Sequence, residues 1–358
     1  MELFQAHDQW ANRPADERFP SIQSLYDATR AYAATAVERP GVRVDSLRVE
    51  AIDGQVQVIG KGSVPARLTH WSFGQLAGRV EAPAAYLRSL PATLAAQNLN
   101  HGLARRVKDD ADATASLLFH ANGSLLLRAV TSDKYSRIWN HEVAERLLDM
   151  ADLGWTPAMP TFNTSADDKP PLYASDHDMF AFIIHKDRVI KEQGNPEGLL
   201  RGLIASNSEV GAGKLRLLRF LYRAMCGNHI IWGAEEVVEL SAVHVGNVRG
   251  KFSAWQLEIG KYLDETAGSD EARIAAAQTK RIAATKDELL DLLFGKKAIG
   301  LSRRALEAGY DAVAEGDGDP LTTWGIAQGL TRSSQLTPYA DERMKIDRAA
   351  GRVLAMAF

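Results

Sequence analysis

Cysteine is almost missing from this sequence, and so are the marks of a secreted or membrane protein. The single cysteine, Cys226, cannot form an internal disulfide, which excludes a disulfide-stapled domain and favours a reducing, cytoplasmic setting. No apolar run approaches the roughly 18–20 residues of a membrane-spanning helix. The N-terminus lacks the basic and apolar regions of a secretory signal. We therefore expect a cytoplasmic protein with no membrane partner.

An excess of either charge is missing as well. The chain has 42 Lys and Arg residues against 45 Asp and Glu residues, a formal net charge of -3. This balance excludes a basic field over the whole protein, so any nucleic-acid site must depend on local patches. The length of 358 residues exceeds what one hydrophobic core usually serves, roughly 250–300 residues.

A two-residue turn is predicted at Asp53-Gly54, because both residue types tolerate the positive φ angles of a tight hairpin. Folding about this turn gives arms with one apolar face, while Glu50 and Gln57 meet on the other face. The pattern predicts a hairpin with one side in water.

A second hairpin is predicted at Asn122-Gly123, within SLLFHANGSLLLRAV. Its arms are apolar on both faces, which favours a position inside the sheet. For the later segment LRLLRFLYRAM, hydrophobic periodicity does not separate a helix from a buried strand.

The fold class predicted from these patterns is α+β. An antiparallel sheet built from hairpins is packed with helices and followed by a helical C-terminal region. Residues 1–40 are interpreted as a lead with a short helix capped by Ser21, residues 41–246 as the α+β core, and residues 247–358 as the helical region. Within the last region, Thr285 and Glu288 form a capping box before a helix that Gly295 closes.

Two segments resemble catalytic motifs but lack a required residue at the required spacing. The segment SEVGAGKL has Ser208 and Leu215 where a phosphate loop needs glycine and a magnesium-binding hydroxyl. Glu145 stands where a zinc-protease helix that begins at His141 needs its second histidine. We predict no cofactor, no metal and no catalytic residue, although a weak metal site at His229 and His244 stays open.

Basic clusters with neighbouring aromatic residues are the stronger signal. Single-stranded nucleic acid uses such grooves, since phosphates pair with cations and bases stack on rings. The candidate contact residues are Tyr135, Arg137, Lys214, Arg216, Arg219, Phe220, Tyr222, Arg223, Lys296, Lys297, Arg303 and Arg304.

Residues 128–143, RAVTSDKYSRIWNHEV, and 202–229, GLIASNSEVGAGKLRLLRFLYRAMCGNH, resemble the phage/plasmid-like protein family, which occurs in bacteriophages, plasmids and integrated elements. The C-terminal stretch LTTWGIAQGLTRSSQL also resembles that family, although His229 departs from its pattern. The resemblance rests on Ser132, Asp133, Tyr135, Asn140, Ser206, Asn207, Ser208, Glu209, Gly211, Gly213, Asn228 and Trp324. It implies a mobile-element protein near DNA metabolism and assigns no reaction. A looser similarity is to RecT-like and Red-beta-like single-strand annealing proteins.

Three functions remain open on this basis. The first is a homo-oligomeric protein that binds single-stranded DNA and promotes annealing in recombination. The second is an enzyme acting on nucleic acid or nucleotides, in which Glu209, Asp133 and Asp178 bind a divalent metal. The third is a phage protein-interaction or anti-defence factor. Whether the segment Ser206 to Glu209 is a binding site or a structural turn also stays open.

Overall fold

The computed structural model describes residues 17–60, 64–109, 113–158, 172–192, 195–223, 228–230, 244–255, 257, 259, 267–313, 318–335 and 340–357. Within these ranges the chain is α+β, with helices in its C-terminal region, as the sequence predicts. Cys226 and the acidic pair Asp167 and Asp168 lie outside the described residues. No helix in the described part is both long and apolar enough to cross a membrane.

The first sheet is built from the N-terminal part of the chain. Its strands are β1 Ala36–Arg43, β2 Leu47–Ile52, β3 Gln55–Gly60, β4 Ala66–Leu68, β5 Thr114–Asn122 and β6 Ser124–Thr131. Their order across the sheet is β1-β5-β6-β4-β3-β2. All neighbours are antiparallel except β4 and β6, which run parallel. The parallel β4–β6 pair makes this sheet mixed, although its hairpins are antiparallel as predicted.

The second sheet follows in the chain and is antiparallel in all described pairs. Its strands are β7 Trp155–Pro157, β8 Leu172–Ala174, β9 Met179–Glu192, β10 Asn195–Asn207, β11 Arg216–Arg223 and β12 Asn228–Ile230. Strand order is β12-β11-β10-β9-β7, and β8 also pairs with β9. The segment that periodicity left undecided is thus a strand, β11.

Helices cover the sheets and form most of the C-terminal region. They are α1 Ile22–Ala34, α2 His70–Arg79, α3 Ala84–Ser89, α4 Ala92–Asp109, α5 Asn140–Ala151, α6 Val248–Ser253, α7 Ala267–Thr279, α8 Lys286–Gly295, α9 Arg303–Asp311, α10 Thr323–Gln335 and α11 Ala340–Ala355. Helices α2, α3 and α4 share a core with the first sheet, whereas α1, α5 and α6 share one with the second.

The first hairpin matches its prediction. Asp53 and Gly54 have φ angles of 51° and 73°, as a tight turn between twisted strands requires. Val49 and Val58 lie opposite each other and are buried, whereas Glu50 is exposed. One side of this hairpin therefore remains open to solvent.

The second hairpin occupies the middle of the first sheet, as its two apolar faces indicate. Its turn differs from the prediction, because Asn122 pairs with Ser124 and Gly123 alone forms the tip, with φ of 69°. Glycine adopts this left-handed conformation without steric cost.

The predicted lead of residues 1–40 does not stay apart from the core. Ser21 caps α1, as predicted, and accepts a hydrogen bond from the Ser24 amide. Leu25 on α1 packs in the same buried cluster as Leu147 on α5. Strand β1 begins at Ala36, so the boundary predicted at residue 40 falls inside a strand.

The C-terminal helices pack around α10, which the sequence patterns did not single out. Thr285 caps α8 by accepting from the Glu288 amide, as predicted. Trp324 and Leu330 on α10 are almost fully buried. Leu221 of β11 joins the same cluster, so this region packs directly on the second sheet.

Candidate nucleic-acid interface

A β-bulge in β6 places Arg128 between the two sheets. Across the β5–β6 pair, Leu118 lies opposite Ala129 and Phe119 lies opposite Leu127, so Arg128 is the extra residue. A bulge of this kind bends the strand and re-aims a side chain. The strand therefore directs a guanidinium out of its ladder towards the second sheet.

Arg128 forms a buried ion pair with Glu209, which follows β10. Arg128 Nη2 lies 2.9 Å from Glu209 Oε2, and the two side chains are only 0% and 2% exposed. The same nitrogen donates to the carbonyl oxygen of Asp176 at 2.7 Å. Glu209 Oε1 accepts from the amide of Asn140 at 2.9 Å. These additional hydrogen bonds offset part of the cost of burying two charges.

The segment around Glu209 is held from several sides. Asn207 Nδ2 donates to the Ile138 carbonyl at 2.9 Å and to Asn140 Oδ1 at 2.8 Å. Ser208 Oγ donates to the His177 carbonyl at 2.6 Å.

Two further side chains reach the turn that follows. Gln75 Nε2 and Trp71 Nε1 donate to the Val210 carbonyl at 2.7 Å and 3.0 Å. Gly211 takes a φ of 79° in this turn. Ser208 and Glu209 are buried, so the segment that sequence left undecided is a structural junction between the sheets.

The opposite face of the first sheet carries a row of side chains from one edge to the other. Strand register places its members opposite one another in the order Glu50, Gln57, Arg67, Leu126, His120 and Ala36. We call these six residues the open row. All are exposed or half-buried, whereas Val58 and Ala66, on the helix-covered face, are buried.

Two arginines bring positive charge to this face. Arg67, within the open row, donates from Nη2 to Ser124 Oγ at 3.0 Å. Arg48 lies two residues before Glu50 and therefore on the same face of β2. Both are exposed, and neither forms an ion pair with a described residue.

A ring stack lies at one end of the open row. The rings of Tyr32 and His120 lie 4.3 Å apart and 30° from parallel. The Arg128 guanidinium lies 4.4 Å from the Tyr32 ring centroid, on the buried side. Thr35 Oγ1 and His120 Nδ1 are 2.7 Å apart, which fixes the imidazole.

The electrostatics keep both of these rings neutral at neutral pH. Burial raises the pKa of Tyr32, although the nearby Arg128 opposes this shift. Burial lowers the pKa of His120, and Arg128 lowers it further. Both rings are half-buried, so they offer partly exposed, flat and uncharged surfaces two strands away from Arg67 along the open row.

A second pair of rings lies close to the same junction. The rings of Trp71 and His177 are 6.5 Å apart and 20° from parallel, and both residues are half-buried. Trp71 Nε1 donates to the Val210 carbonyl, and the His177 carbonyl accepts from Ser208 Oγ, so both residues are held to the segment on either side of Glu209. The junction thus carries four partly exposed rings.

Two predicted contact residues, Tyr135 and Arg137, make contacts within the junction between the sheets. The Tyr135 hydroxyl donates to the Ser208 carbonyl at 2.7 Å, and burial raises the pKa of this hydroxyl. Arg137 is 5% exposed, pairs with Glu38 at 2.9 Å and lies between the rings of Tyr135 and Trp139. Arg137 is thus buried, whereas Tyr135 is half-buried and stacks on the His244 ring with centroids 5.0 Å apart.

The cluster predicted on residues 214–223 is divided by the strand. Alternation places position 216 on one face of β11 and positions 219 and 223 on the other. Lys214, before the strand, is exposed and Arg216 is half-buried. The side chains of Arg219, Tyr222 and Arg223 lie outside the described residues.

Phe220 is the clearest correction among the predicted contacts. Its ring is fully buried and packs against Phe182, with centroids 6.2 Å apart. It also fills the space above Gly202, the residue opposite it on β10. A ring in this position cannot stack on a base.

The cluster at residues 296–304 keeps part of its charge exposed. Lys296, Lys297 and Arg304 are exposed at the α8–α9 connection. Arg303, in contrast, pairs with Asp291 and Asp287 of α8. A stretch that is free of acids in sequence is thus partly neutralised by acids from the preceding helix.

The acids of the enzyme hypothesis have separate structural partners. Glu209 pairs with Arg128, while Asp133 accepts from the Gly41 amide and the Thr114 hydroxyl, which lowers its pKa. Asp178 accepts from the Ser175 hydroxyl at 2.8 Å. In the described part of the chain, no group of three or more His, Cys, Asp or Glu residues could hold a metal ion.

Ser175, His177 and Asp178 lie in contact with one another within one short turn. Ser175 Oγ accepts from the amides of His177 and Asp178, as in a turn capped by a hydroxyl. The same oxygen lies 2.8 Å from Asp178 Oδ1 and 3.1 Å from His177 Nδ1, and His177 Nε2 lies 3.3 Å from Asp178 Oδ2.

Sequence reasoning missed Arg128, Tyr32, His120 and Arg67 as site residues. One available signal was the lone arginine of LLLRAV, because a charge in a doubly apolar strand needs a buried partner. The two segments of the family resemblance also meet here, through Arg128 with Glu209 and Asn140 with Asn207.

Comparisons of the chain with protein-family models, with curated proteins and with solved structures find no match.

Proposed function

We propose that this protein binds single-stranded nucleic acid, and DNA in particular, on the open row of the first sheet. The carrying observation is that the exposed part of one sheet face combines two arginines, which form no ion pair with a described residue, with the neutral, half-buried stack of Tyr32 and His120. This combination matches the two needs of strand binding, cations for phosphates and flat surfaces for bases.

The shape of the surface supports a single strand rather than a duplex. An open sheet face allows splayed bases to lie on side chains, as in sheet-based readers of single-stranded RNA. Arg67 stands in the middle of the row and His120 near its end. A strand crossing the sheet in this direction passes a cation before it reaches the stacked rings.

The finer parts of the proposal come from the sequence. The resemblance to the phage/plasmid-like protein family supports a mobile-element role. The looser similarity to annealing proteins supports strand annealing by a homo-oligomer in the cytoplasm. Annealing requires no metal, nucleotide or nucleophile.

The test is binding of labelled single-stranded and double-stranded DNA by the purified protein across a salt titration. We expect salt-sensitive binding that prefers the single strand. In the double variant Arg48→Ala/Arg67→Ala, the slope of log affinity against log salt should fall by about 1.4, as expected for two lost phosphate contacts. Tyr32→Leu should weaken binding by about tenfold or more through lost stacking.

Two matched control variants distinguish binding on the open row from binding through any exposed positive charge or tyrosine. The variant Lys296→Ala/Lys297→Ala removes the same charge from the α8–α9 connection, and Tyr86→Leu removes a tyrosine that is 60% exposed on α3. Equal losses in the charge variants would overturn the assignment to the open row. Absence of binding to either DNA form at low salt would overturn nucleic-acid binding itself.

A further inference from the structure

A cleft of about 360 Å³ opens between the turn of the first hairpin and helices α2, α3 and α4. Val56 and Leu68 line it from the sheet, and Phe73, Leu87 and Arg88 line it from the helices. Its volume falls in the range of small-molecule sites. The cleft lies on the helix-covered face of the first sheet, away from the open row, so it is a separate feature.

Arg88 is held in a fixed position at this cleft. Its guanidinium carbon lies 5.0 Å from the centroid of the Phe73 ring, and Nη2 donates to the His70 carbonyl at 2.7 Å. Arg88 forms no ion pair with any residue in the described part of the chain. A guanidinium that is fixed while several of its donors remain unused is preorganised to bind an anion in a bidentate manner.

The remaining lining defines what kind of anion fits. Among the described residues, no aspartate or glutamate lines the cleft to compete for Arg88. Val56, Leu68 and Leu87 supply an apolar wall, and Thr69 and His70 add polar residues to the lining. A ligand that matches these features has an anionic group, a flat apolar body and a polar edge.

We propose that the cleft binds a nucleoside monophosphate unit, with the phosphate on Arg88 and the base against the wall of Val56, Leu68 and Leu87. Two sources share this chemistry, namely a free nucleotide and the phosphorylated end of a DNA strand. The phosphate takes the paired donors of the guanidinium, and the base edge meets the polar part of the lining. The proposal goes beyond strand binding on the open row and stands without it.

Calorimetric titration with dAMP, deoxyadenosine and inorganic phosphate tests the proposal directly. We expect dAMP to bind more tightly than either fragment, since only dAMP fills both halves of the cleft. Arg88→Gln should weaken dAMP binding by on the order of tenfold or more, because it removes charge-assisted hydrogen bonds. The control Arg105→Gln, at an exposed pair with Glu81, should leave dAMP binding unchanged.

Oligonucleotides with a 5′-phosphate or a 5′-hydroxyl separate the two sources. If the phosphorylated oligonucleotide displaces dAMP and the hydroxyl form does not, the cleft binds strand ends. If neither oligonucleotide displaces dAMP, the cleft binds free nucleotides. Equal dAMP affinity of Arg88→Gln and the unaltered protein, or no dAMP binding at millimolar concentration, would overturn the proposal. Loss of strand binding on the open row with dAMP binding retained would overturn the proposed function alone.

Discussion

Arg128 and Glu209 join the two sheets of this protein through a buried ion pair of 2.9 Å. Arg128 reaches the pair because a bulge turns it out of β6, and Glu209 is fixed by the amide of Asn140. The half-buried Tyr32 ring, which stacks on His120, lies 4.4 Å from the guanidinium of this arginine. The ion pair therefore sets the geometry of the surface that we propose for strand binding.

Removal of one member of this pair is expected to be costly. Glu209→Gln should lower the free energy of unfolding by about 3–5 kcal/mol, because it leaves the Arg128 charge buried without its counterion. Urea unfolding followed by far-UV circular dichroism measures the change. Arg105→Gln, which breaks an exposed ion pair, should cost no more than about 1 kcal/mol. Similar costs for both variants would show that the buried pair has no special role.

Phe220→Ala is expected to act on stability and not on binding. The fully buried ring packs on Phe182, so truncation should cost about 3–5 kcal/mol of unfolding free energy. Phe294→Ala, at a ring that is 57% exposed, should change stability by less than about 0.5 kcal/mol. The affinity of folded Phe220→Ala protein for single-stranded DNA should match that of the unaltered chain. A drop in that affinity would restore Phe220 as a contact residue.

His244 should make stability depend on mildly acidic pH. Burial lowers its pKa to about 4, whereas the hydrogen bond with the Ser136 carbonyl opposes the shift and Arg137 adds to it. In the unfolded chain His244 is protonated as pH falls below about 6.5, whereas in the folded chain it stays neutral until about pH 4. Stability is therefore complete above pH 6.5 and falls as pH decreases through this window, by roughly 2 kcal/mol between pH 6.5 and 5.

Chemical unfolding of the unaltered protein and His244→Gln at both pH values checks this dependence. The variant should lose most of the difference between pH 6.5 and 5. Asp133 and Asp176, whose pKa values are lowered, lose their contribution below about pH 3.8 and do not enter the window. An unchanged pH difference in the variant would assign the dependence to another group.

Gly329→Ala tests the close packing of α9 on α10. A Cβ at this position would overlap the carbonyl oxygen of Gly309, so one helix must move away from the other. We expect a loss of about 1–3 kcal/mol in unfolding free energy, measured by urea titration. Gly295→Ala, at the end of α8 with open space around it, should be neutral or slightly stabilising. A neutral Gly329→Ala would indicate that this packing is loose.

Several elements could be predicted from the chemistry of neighbouring residues. The turn at Asp53-Gly54 and the caps at Ser21 and Thr285 depend on residues within four positions, so the sequence predicts them directly. The α+β class follows from the alternation of hairpin and helix patterns. The parallel contact of β4 with β6 has no such local signature, because helices α2 to α4 intervene between the two strands.

The basic cluster on β11 illustrates why the site could not be predicted in the same way. Arg216 and Arg219 share a face if the segment is a helix and oppose each other if it is a strand. The choice depends on pairing with β10, which also buries Phe220 against Phe182. Neighbouring charges in a sequence therefore share a surface only if the secondary structure places them on the same face.

By itself the sequence determined the class of fold, the turn of the first hairpin and the helix caps at Ser21 and Thr285, and the turn and caps are decided by neighbouring residues. Only the tertiary structure brought Arg128 to Glu209, 81 residues away along the chain, and placed Arg67 in one row with His120. The physical reason is that burial of a charge and alignment across a sheet depend on strand order and register. No short stretch of sequence carries that information.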